Sequence, residues 1–457
     1  MQENTDKKVI VRFPPSPTGN LHIGTARTLL FNFLFSRKHS GKIVMRSEDT
    51  DKERSKPEFE ENILDGLKWL GLSFDEFSRQ SERAEIHKSY LKKMVESGTA
   101  YVSKEPSKNN PDVEVEVIRL KNPGKVVTFN DVVRGDITFD TTELSDFVIA
   151  KNFDEPLYHL AVVVDDFEMG VTHVIRGEDH ISNTPRQILI QEAIGAPRPV
   201  YAHIPLILGA DRSKLSKRHG ATSLVEYRNQ GYLPEALINY LALLGWNPGT
   251  DKELFTMDEL MTEFSLEKVQ TGGAIFDQVK LDWINKEHMK NLPKETVIKE
   301  IMARLNKSPI LAQNSKTSDP DFINKISNII TQHISKWGDI DTMVEAGDLS
   351  FFFNSPSYSK ELLSWKGAPL EESEAHLQWV ADALEKAGED KYSNPEEIKS
   401  LIFDYATEKG KGNVLWPLRV ALSGREKSPD PFSLIYVLGK EEAIERTKAA
   451  VWKIKNA

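Results

Sequence analysis

Apolar positions in the first seventy residues alternate between short continuous runs and helical stripes. Val9 to Phe13 is an apolar run of strand length, and Pro14-Pro15-Ser16-Pro17-Thr18-Gly19 ends it, because neither a helix nor a central strand accepts that many prolines. A helical stretch follows from about Leu21, with Leu29, Leu30, Phe33 and Leu34 on one stripe, and stops before Gly41. Ile43 to Arg46 forms a second strand run. Ser55 and Glu58, with Pro57 between them, predict a capping box that opens a helix carrying Phe59, Ile63, Leu64, Leu67 and Leu70. Gly71 suits the position just past its end. Strand, crossover helix and strand imply a parallel sheet. Ligands on such sheets bind at the carboxyl ends of the strands, which is where Ser16, His22 and Glu48 fall.

The middle of the chain differs. Lys104 to Asp112 is expected as a surface loop. Val113, Val115 and Val117 then alternate with Glu114 and Glu116, the period-two signal of a half-exposed strand. Strand-like apolar runs return at Leu160 to Val164 and at His173 to Ile175. A basic loop spans Asp211 to Gly220. After about residue 230 the pattern is helical to the end. Ile298, Ile301, Met302 and Leu305 share one face, as do Leu377, Val380, Ala381 and Leu384, and again Ile398, Leu401, Ile402 and Tyr405.

Composition narrows the class. At 457 residues the chain exceeds the ~250–300 at which a single core stops growing, so several domains are expected. Cysteine is absent, which removes disulfides, thiol catalysis and cysteine-ligated zinc. No run approaches the ~18 apolar residues of a membrane span. The opening residues MQENTDKKV carry charge without an apolar stretch, so a cytoplasmic protein without membrane attachment is expected. A net charge of −10 excludes a uniformly basic RNA-coating protein, though not RNA binding through a local basic face.

Two motifs carry chemistry. Pro15 to Thr25 (PSPTGNLHIGT) joins the first strand to the first helix, and its glycines and the helix N-terminus suit an anion. Lys214-Leu-Ser-Lys217-Arg218 packs three cations and a hydroxyl beside Gly220, enough to neutralise charge developing on transferred phosphate. Each alone reads equally as a turn or a solvated basic loop. Together, RFPPSPTGNLHIGTAR resembles the HIGH signature and KLSKR the KMSKS loop of class I aminoacyl-tRNA synthetases. Arg46 to Asp51, Tyr158 to Asp166 and Val174 to Arg186 narrow the resemblance to the bacterial glutamyl-tRNA synthetase family, from about residue 8 to the C-terminus.

That resemblance implies an α/β fold: a Rossmann-type parallel-sheet catalytic domain (1–97 and 158–225) split by a small α/β acceptor-stem insertion (98–157). A stem-contact region (226–295) and an all-helical anticodon-binding half (296–457, with a break near 345) would follow. It implies ATP-dependent ligation of L-glutamate to tRNA(Glu) through a glutamyl-adenylate. Charging of tRNA(Gln) as well, or a glutaminyl-tRNA synthetase, stand as alternatives; the helical second half speaks against the latter. Positions matching Arg12, Ser16, Glu48, Tyr158 and Arg176 would hold glutamate, and guanidinium forks do suit its carboxylates. Thr18, His22, Gly24, Asp179, Lys217 and Arg218 would bind ATP, with His22, Lys214 and Lys217 catalytic. Arg419, Ser428, Pro429 and Phe432 would meet the anticodon. Val162 stands where the family often has asparagine. Mg²⁺ is expected with ATP, no zinc, and a monomer. Asp339 occupies a position where one subgroup carries an arginine that rejects the glutamine anticodon.

Overall fold

The computed structural model describes residues 8–106, 110 and 112–456, with Lys217 through its backbone only. Of the expected 104–112 loop, residues 107–109 and 111 lie outside the described residues, and Lys104–Pro106 continue a strand instead of a loop. The chain forms two compact units, residues 1–289 and 290–457.

The first unit opens with β1 (Ile10–Phe13), α1 (Ile23–Lys38), β2 (Lys42–Ser47), α2 (Pro57–Trp69), β3 (Glu76–Arg79) and α3 (Ala84–Glu96). These strands pair in parallel in the order β1-β2-β3, with Arg12 opposite Val44 and Val44 opposite Glu76. Helix α1 is buried on nearly every side, Phe31, Asn32 and Ser36 included, because it sits within the unit's main core beneath the sheet. The Ser55 capping box does not form. Helix α2 starts at Pro57, so Lys56 holds the capping position and makes no side-chain capping bond, which leaves Ser55 one position too early to reach the helix amides.

Six strands follow: β4 (Ala100–Pro106), β5 (Glu114–Leu120), β6 (Val126–Asp131), β7 (Gly135–Asp140), β8 (Phe147–Asn152) and β9 (Glu155–Pro156). The expected small α/β insertion is therefore all-β among the described residues. Its hydrophobic faces are covered by helices from outside the segment, through a shared core of Leu91, Ile118, Leu120, Leu160 and Ile188. Strands β4, β5, β8 and β9 form an antiparallel sheet.

Next come α4 (Tyr158–Glu168), β10 (His173–Gly177), α5 (Thr184–Ile194), β11 (Val200–Ile204) and β12 (Ile207–Leu208). The apolar run Leu160 to Val164 is helix, not strand. All five residues are buried, and a helix buried all round shows no stripe to distinguish it. Strands β10 and β11 pair in parallel, with Arg176 opposite His203, and β11 meets β6 at Tyr201 and Asp131. Beside β10 runs β1, tied to it by the Thr172 amide donating to the Ile10 carbonyl at 2.9 Å. The unit closes with α6 (Leu224–Asn229), α7 (Pro234–Leu243), α8 (Met257–Glu263), β13 (Ala274–Ile275) and α9 (Gln278–Lys290). Strand β13 pairs in parallel with β12, one strand inside a stretch expected to be wholly helical.

The second unit is helical among its described residues: α10 (Lys294–Lys307), α11 (Pro320–His333), α12 (Asp339–Glu345), α13 (Ser350–Phe353), α14 (Leu370–Lys386), α15 (Pro395–Lys409), α16 (Lys411–Ser423), α17 (Pro431–Leu438) and α18 (Lys440–Lys455). Ile301 and Leu305, and Leu377, Val380, Ala381 and Leu384, are the buried stripes that the spacing predicts. No described helix is long and apolar enough to cross a membrane.

Candidate active site

The carboxyl ends of β1 and β10 open onto a cavity of about 530 Å³. Arg12, Ser16, Thr18, His22, Gly24, Arg176, Asp179 and Lys214 line it; Glu48, Tyr158 and Arg218 stand outside its lining. Prolines end β1, and the loop after them is held by the Glu48 amide donating to the Pro15 carbonyl at 3.0 Å and the Lys56 amide to Pro17 at 3.0 Å. His22 is the residue before α1, and its Nδ1 accepts from the Gly24 amide at 3.0 Å. Nε2 therefore carries the ring proton. Burial, and then the ammonium of Lys214, hold the imidazole below its usual pKa. A neutral N–H donor is thus aimed from a helix N-terminus, the arrangement a phosphate oxygen needs.

Beneath the cavity lies a network of buried charge. Arg46, fully buried, donates to Asp166 Oδ1 at 2.7 Å and to Glu48 Oε1 at 2.9 Å. Burial would weaken its charge, but Asp166, Glu48 and Asp165 raise its pKa above the usual value. Asp166 also faces Arg12 Nε at 3.4 Å, and Arg12 Nη1 donates to the Ile175 carbonyl at 3.2 Å. Asp165 accepts from Gln80, Arg83 and His87. Burial pushes the Glu48 carboxyl above its usual range, with Arg46 pulling the other way.

Arg176 is different. It is buried at 6% exposure, yet its three nitrogens donate to neutral atoms only: His203 Nε2 at 3.0 Å, Gln187 Oε1 at 2.8 Å and Thr184 Oγ1 at 2.8 Å. Burial first and Arg12 second lower its pKa. A buried cation without a carboxylate is costly, and an anion arriving at the cavity would relieve that cost. Tyr158 keeps 40% of its surface exposed and stands behind the wall, its hydroxyl 3.3 Å from Nδ1 of His180, which does line the cavity.

The two signature loops meet in space. The Ile23 amide donates to the Thr222 carbonyl at 2.9 Å and the Leu224 amide to Leu21 at 2.8 Å, so the start of α1 is bonded to the chain just after the basic loop. In that loop Lys214 pairs with Asp179 at 3.0 Å, and Arg218 with Asp211 at 3.0 Å. The side chain of Lys217 lies outside the described residues.

Residues 8–110 and 104–283 match the model for class I tRNA synthetases (E and Q), catalytic domain, and residues 284–451 match an anticodon binding domain. The chain belongs to the class I (E and Q) tRNA synthetases. It is 41% identical over 486 residues to a glutamate–tRNA ligase of Carboxydothermus hydrogenoformans, covering 96% of this chain and 98% of that one. Identity is also 41% to the glutamate–tRNA ligase of Aquifex aeolicus, covering 98% and 99%. Among solved structures, a glutamate tRNA ligase of Elizabethkingia meningosepticum in complex with its amino acid superposes with a TM-score of 0.85 at 31% identity, over 98% of this chain and all of that one.

Within this synthetase the expected anticodon residues divide. Arg419, on α16, is half-buried, and its Nε is a buried donor without a hydrogen-bond partner. Ser428 and Pro429 lie in the turn before α17, where Asp430 caps the helix by accepting from the Phe432 and Ser433 amides at 3.0 Å. Phe432 is packed inside at 7% exposure and offers no face for a base to stack on. Asp339 accepts from the Ser335 amide at 2.7 Å and the Lys336 amide at 3.1 Å, which engages its carboxylate in a local turn. Val162 is buried within α4. Arg46, Asp165, Asp166, Asp131 and His203 are part of the site without having been singled out from sequence. The adjacent aspartates on an apolar helix were the available signal, since buried carboxylates require partners.

Proposed function

We propose that the chain ligates L-glutamate to tRNA(Glu) in two steps, as a cytoplasmic monomer. The observation that carries this is Arg176, a buried guanidinium with neutral partners only, on the wall of a cavity that also holds the His22 helix terminus. Arg176 and Arg12 would receive carboxylate of the substrate, and the Glu48 carboxylate its ammonium. The α-carboxylate then attacks the α-phosphorus of ATP and pyrophosphate leaves. The terminal ribose hydroxyl of tRNA next attacks the carbonyl carbon of the adenylate, and AMP leaves. Positioning and charge stabilisation carry such a reaction. His22 Nε2–H and the first turn of α1, with Thr18 and Gly24 beside them, would hold phosphate oxygens. Lys214 would exchange Asp179 for the leaving pyrophosphate, joined by Lys217 and Arg218.

Among the described residues no group of three His, Cys, Asp or Glu side chains converges to hold a metal ion, so Mg²⁺ would arrive on the triphosphate. The absence of cysteine speaks against a zinc site in the 98–157 segment. That segment is assigned to the acceptor stem, 226–295 to stem contact, and 296–457 to the anticodon, where Arg419 keeps an unused donor. Aminoacylation of purified tRNA(Glu) and tRNA(Gln) with labelled glutamate tests the assignment. Glutamate should be esterified to tRNA(Glu), and Lys214→Ala should slow this by about 10²–10³. No product with either tRNA would overturn the assignment, and product with both would make the enzyme non-discriminating.

A further inference from the structure

The side chain that orients Arg176 is itself oriented. Arg176 Nε donates to His203 Nε2 at 3.0 Å, so that nitrogen is an acceptor and the ring proton sits on Nδ1. Nδ1 in turn faces Asp131 Oδ2 at 2.6 Å. Asp131 Oδ1 accepts from the Val133 and Arg134 amides, each at 3.0 Å, and both its oxygens lie within 3.2 Å of the His203 amide. The carboxylate is therefore locked by backbone before it meets the ring. Asp131 is 1% exposed and His203 0%. The ring also lies parallel to Tyr201, with centroids 6.2 Å apart. Burial, opposed by Asp131, keeps the His203 imidazole below its usual pKa, consistent with a neutral ring.

We propose that Asp131 and His203 form a positioning pair that sets the plane of the Arg176 guanidinium toward substrate carboxylate, Asp131 by fixing the histidine tautomer and His203 by accepting from Arg176 Nε. The proposal rests on the reading that Arg176 binds glutamate. The opposite tautomer would turn an N–H toward the Nε–H of Arg176, two donors face to face, and the guanidinium would swing away. Gln187 and Thr184 hold only its terminal nitrogens, so Nε is the one atom through which its rotation is fixed by the sheet. Asp131 belongs to β6, in the inserted segment, and reaches His203 where β6 pairs with β11. The segment that interrupts the catalytic domain thereby supplies a working part to its pocket.

The test uses the full-length enzyme with tRNA present, measuring pyrophosphate exchange as a function of glutamate and of ATP separately. His203→Ala should raise the KM for glutamate by about 10–10²-fold, the scale of a misplaced binding group, and leave the KM for ATP within about twofold. His203→Gln should restore most of the loss, because its amide oxygen can accept from Arg176. Asp131→Asn changes almost no volume. With the Val133 and Arg134 amides holding its oxygen, its NH₂ faces Nδ1 and drives the proton to Nε2, so the glutamate KM should rise again. Melting temperatures identify any variant that fails to fold, and Asp131→Asn and His203→Gln are the pair least exposed to that failure. Equal rises in both KM values, or no rescue by glutamine, would make the pair merely structural and overturn the proposal. An unchanged glutamate KM in His203→Ala, with Arg176→Ala raising it, would refute the proposal while the glutamate reading stands. An unchanged glutamate KM in Arg176→Ala would remove both.

Discussion

Gly24→Ala separates the stability of α1 from the work of His22. The backbone at Gly24 is ordinary helix and its φ is not positive, so alanine is not strained there. Replacing glycine within a helix by alanine favours the fold by roughly 0.5–1 kcal/mol, somewhat less in a first turn. The added methyl, however, would stand 3.2 Å from His22 Nδ1 and 3.7 Å from Cε1. That is closer than such contacts normally run, and the imidazole is the only partner within 4 Å that can yield. It must shift by a few tenths of an ångström, and the Nε2 proton shifts with it. A displacement of about 1 Å in a positioning group costs about 10²-fold in rate, so a few tenths corresponds to roughly fourfold to tenfold. The expectation is a protein at least as heat-stable as the parent and slower in adenylate formation. Thermal melts together with pyrophosphate exchange at saturating glutamate would show it. An unchanged rate in a folded variant would mean that His22 does not need its observed place. A lowered melting temperature would mean that the methyl is absorbed by the helix and not by the histidine.

Arg12→Ala should raise the KM for glutamate by about 10²-fold or more, since stripping one partner from a buried pair costs roughly 3–5 kcal/mol. Asp166 keeps its 2.7 Å bond to Arg46, so the fold should survive; weakened ATP use with glutamate unchanged would refute the pocket. Burial as the first cause lowers the pKa of His159, His173 and His180 to about 4 each. Between about pH 6.5 and 4 the unfolded chain binds protons that the folded chain refuses, so stability should fall as pH drops through that window. Melting temperatures flat across it would contradict the three half-buried neutral rings. Arg419→Ala should raise the KM for tRNA(Glu) and leave adenylate formation near normal once tRNA saturates, and an unchanged tRNA KM in steady-state aminoacylation would release Arg419 from the anticodon.

What the chain reveals by itself follows the range of each interaction. Strand β1, the proline-rich turn and α1 are visible because turn chemistry and periodicity act over a few residues. The parallel sheet follows from them. Arg46 pairing with Asp166 spans 120 residues and Asp131 meeting His203 spans 72, and no spacing rule reaches across the fold to find them. Nor could local pattern separate strand from helix at Leu160 to Val164, where burial on all sides erases the stripe. Phe432 shows the same limit in the second unit: its place just after a proline-rich turn, in the first turn of α17, fits a rim aromatic and a core aromatic alike, and packing alone decides for the core.

The backbone bonds between Leu21, Ile23 and the chain at Thr222–Leu224 carry a consequence for how such an enzyme can diverge. Because the first signature loop is bonded directly to the chain that follows the basic loop, the number of residues between the two loops is free to drift. The chain can lengthen, shorten or exchange what hangs from the far sheet of β4, β5, β8 and β9 without changing the spacing of the groups that line the cavity. The tolerance should end at one place, the short turn from Asp131 to Arg134, where the guest segment holds a hand inside its host. Grafted replacements that keep this turn should remain active enzymes, and grafts that discard it should lose their grip on the amino acid first.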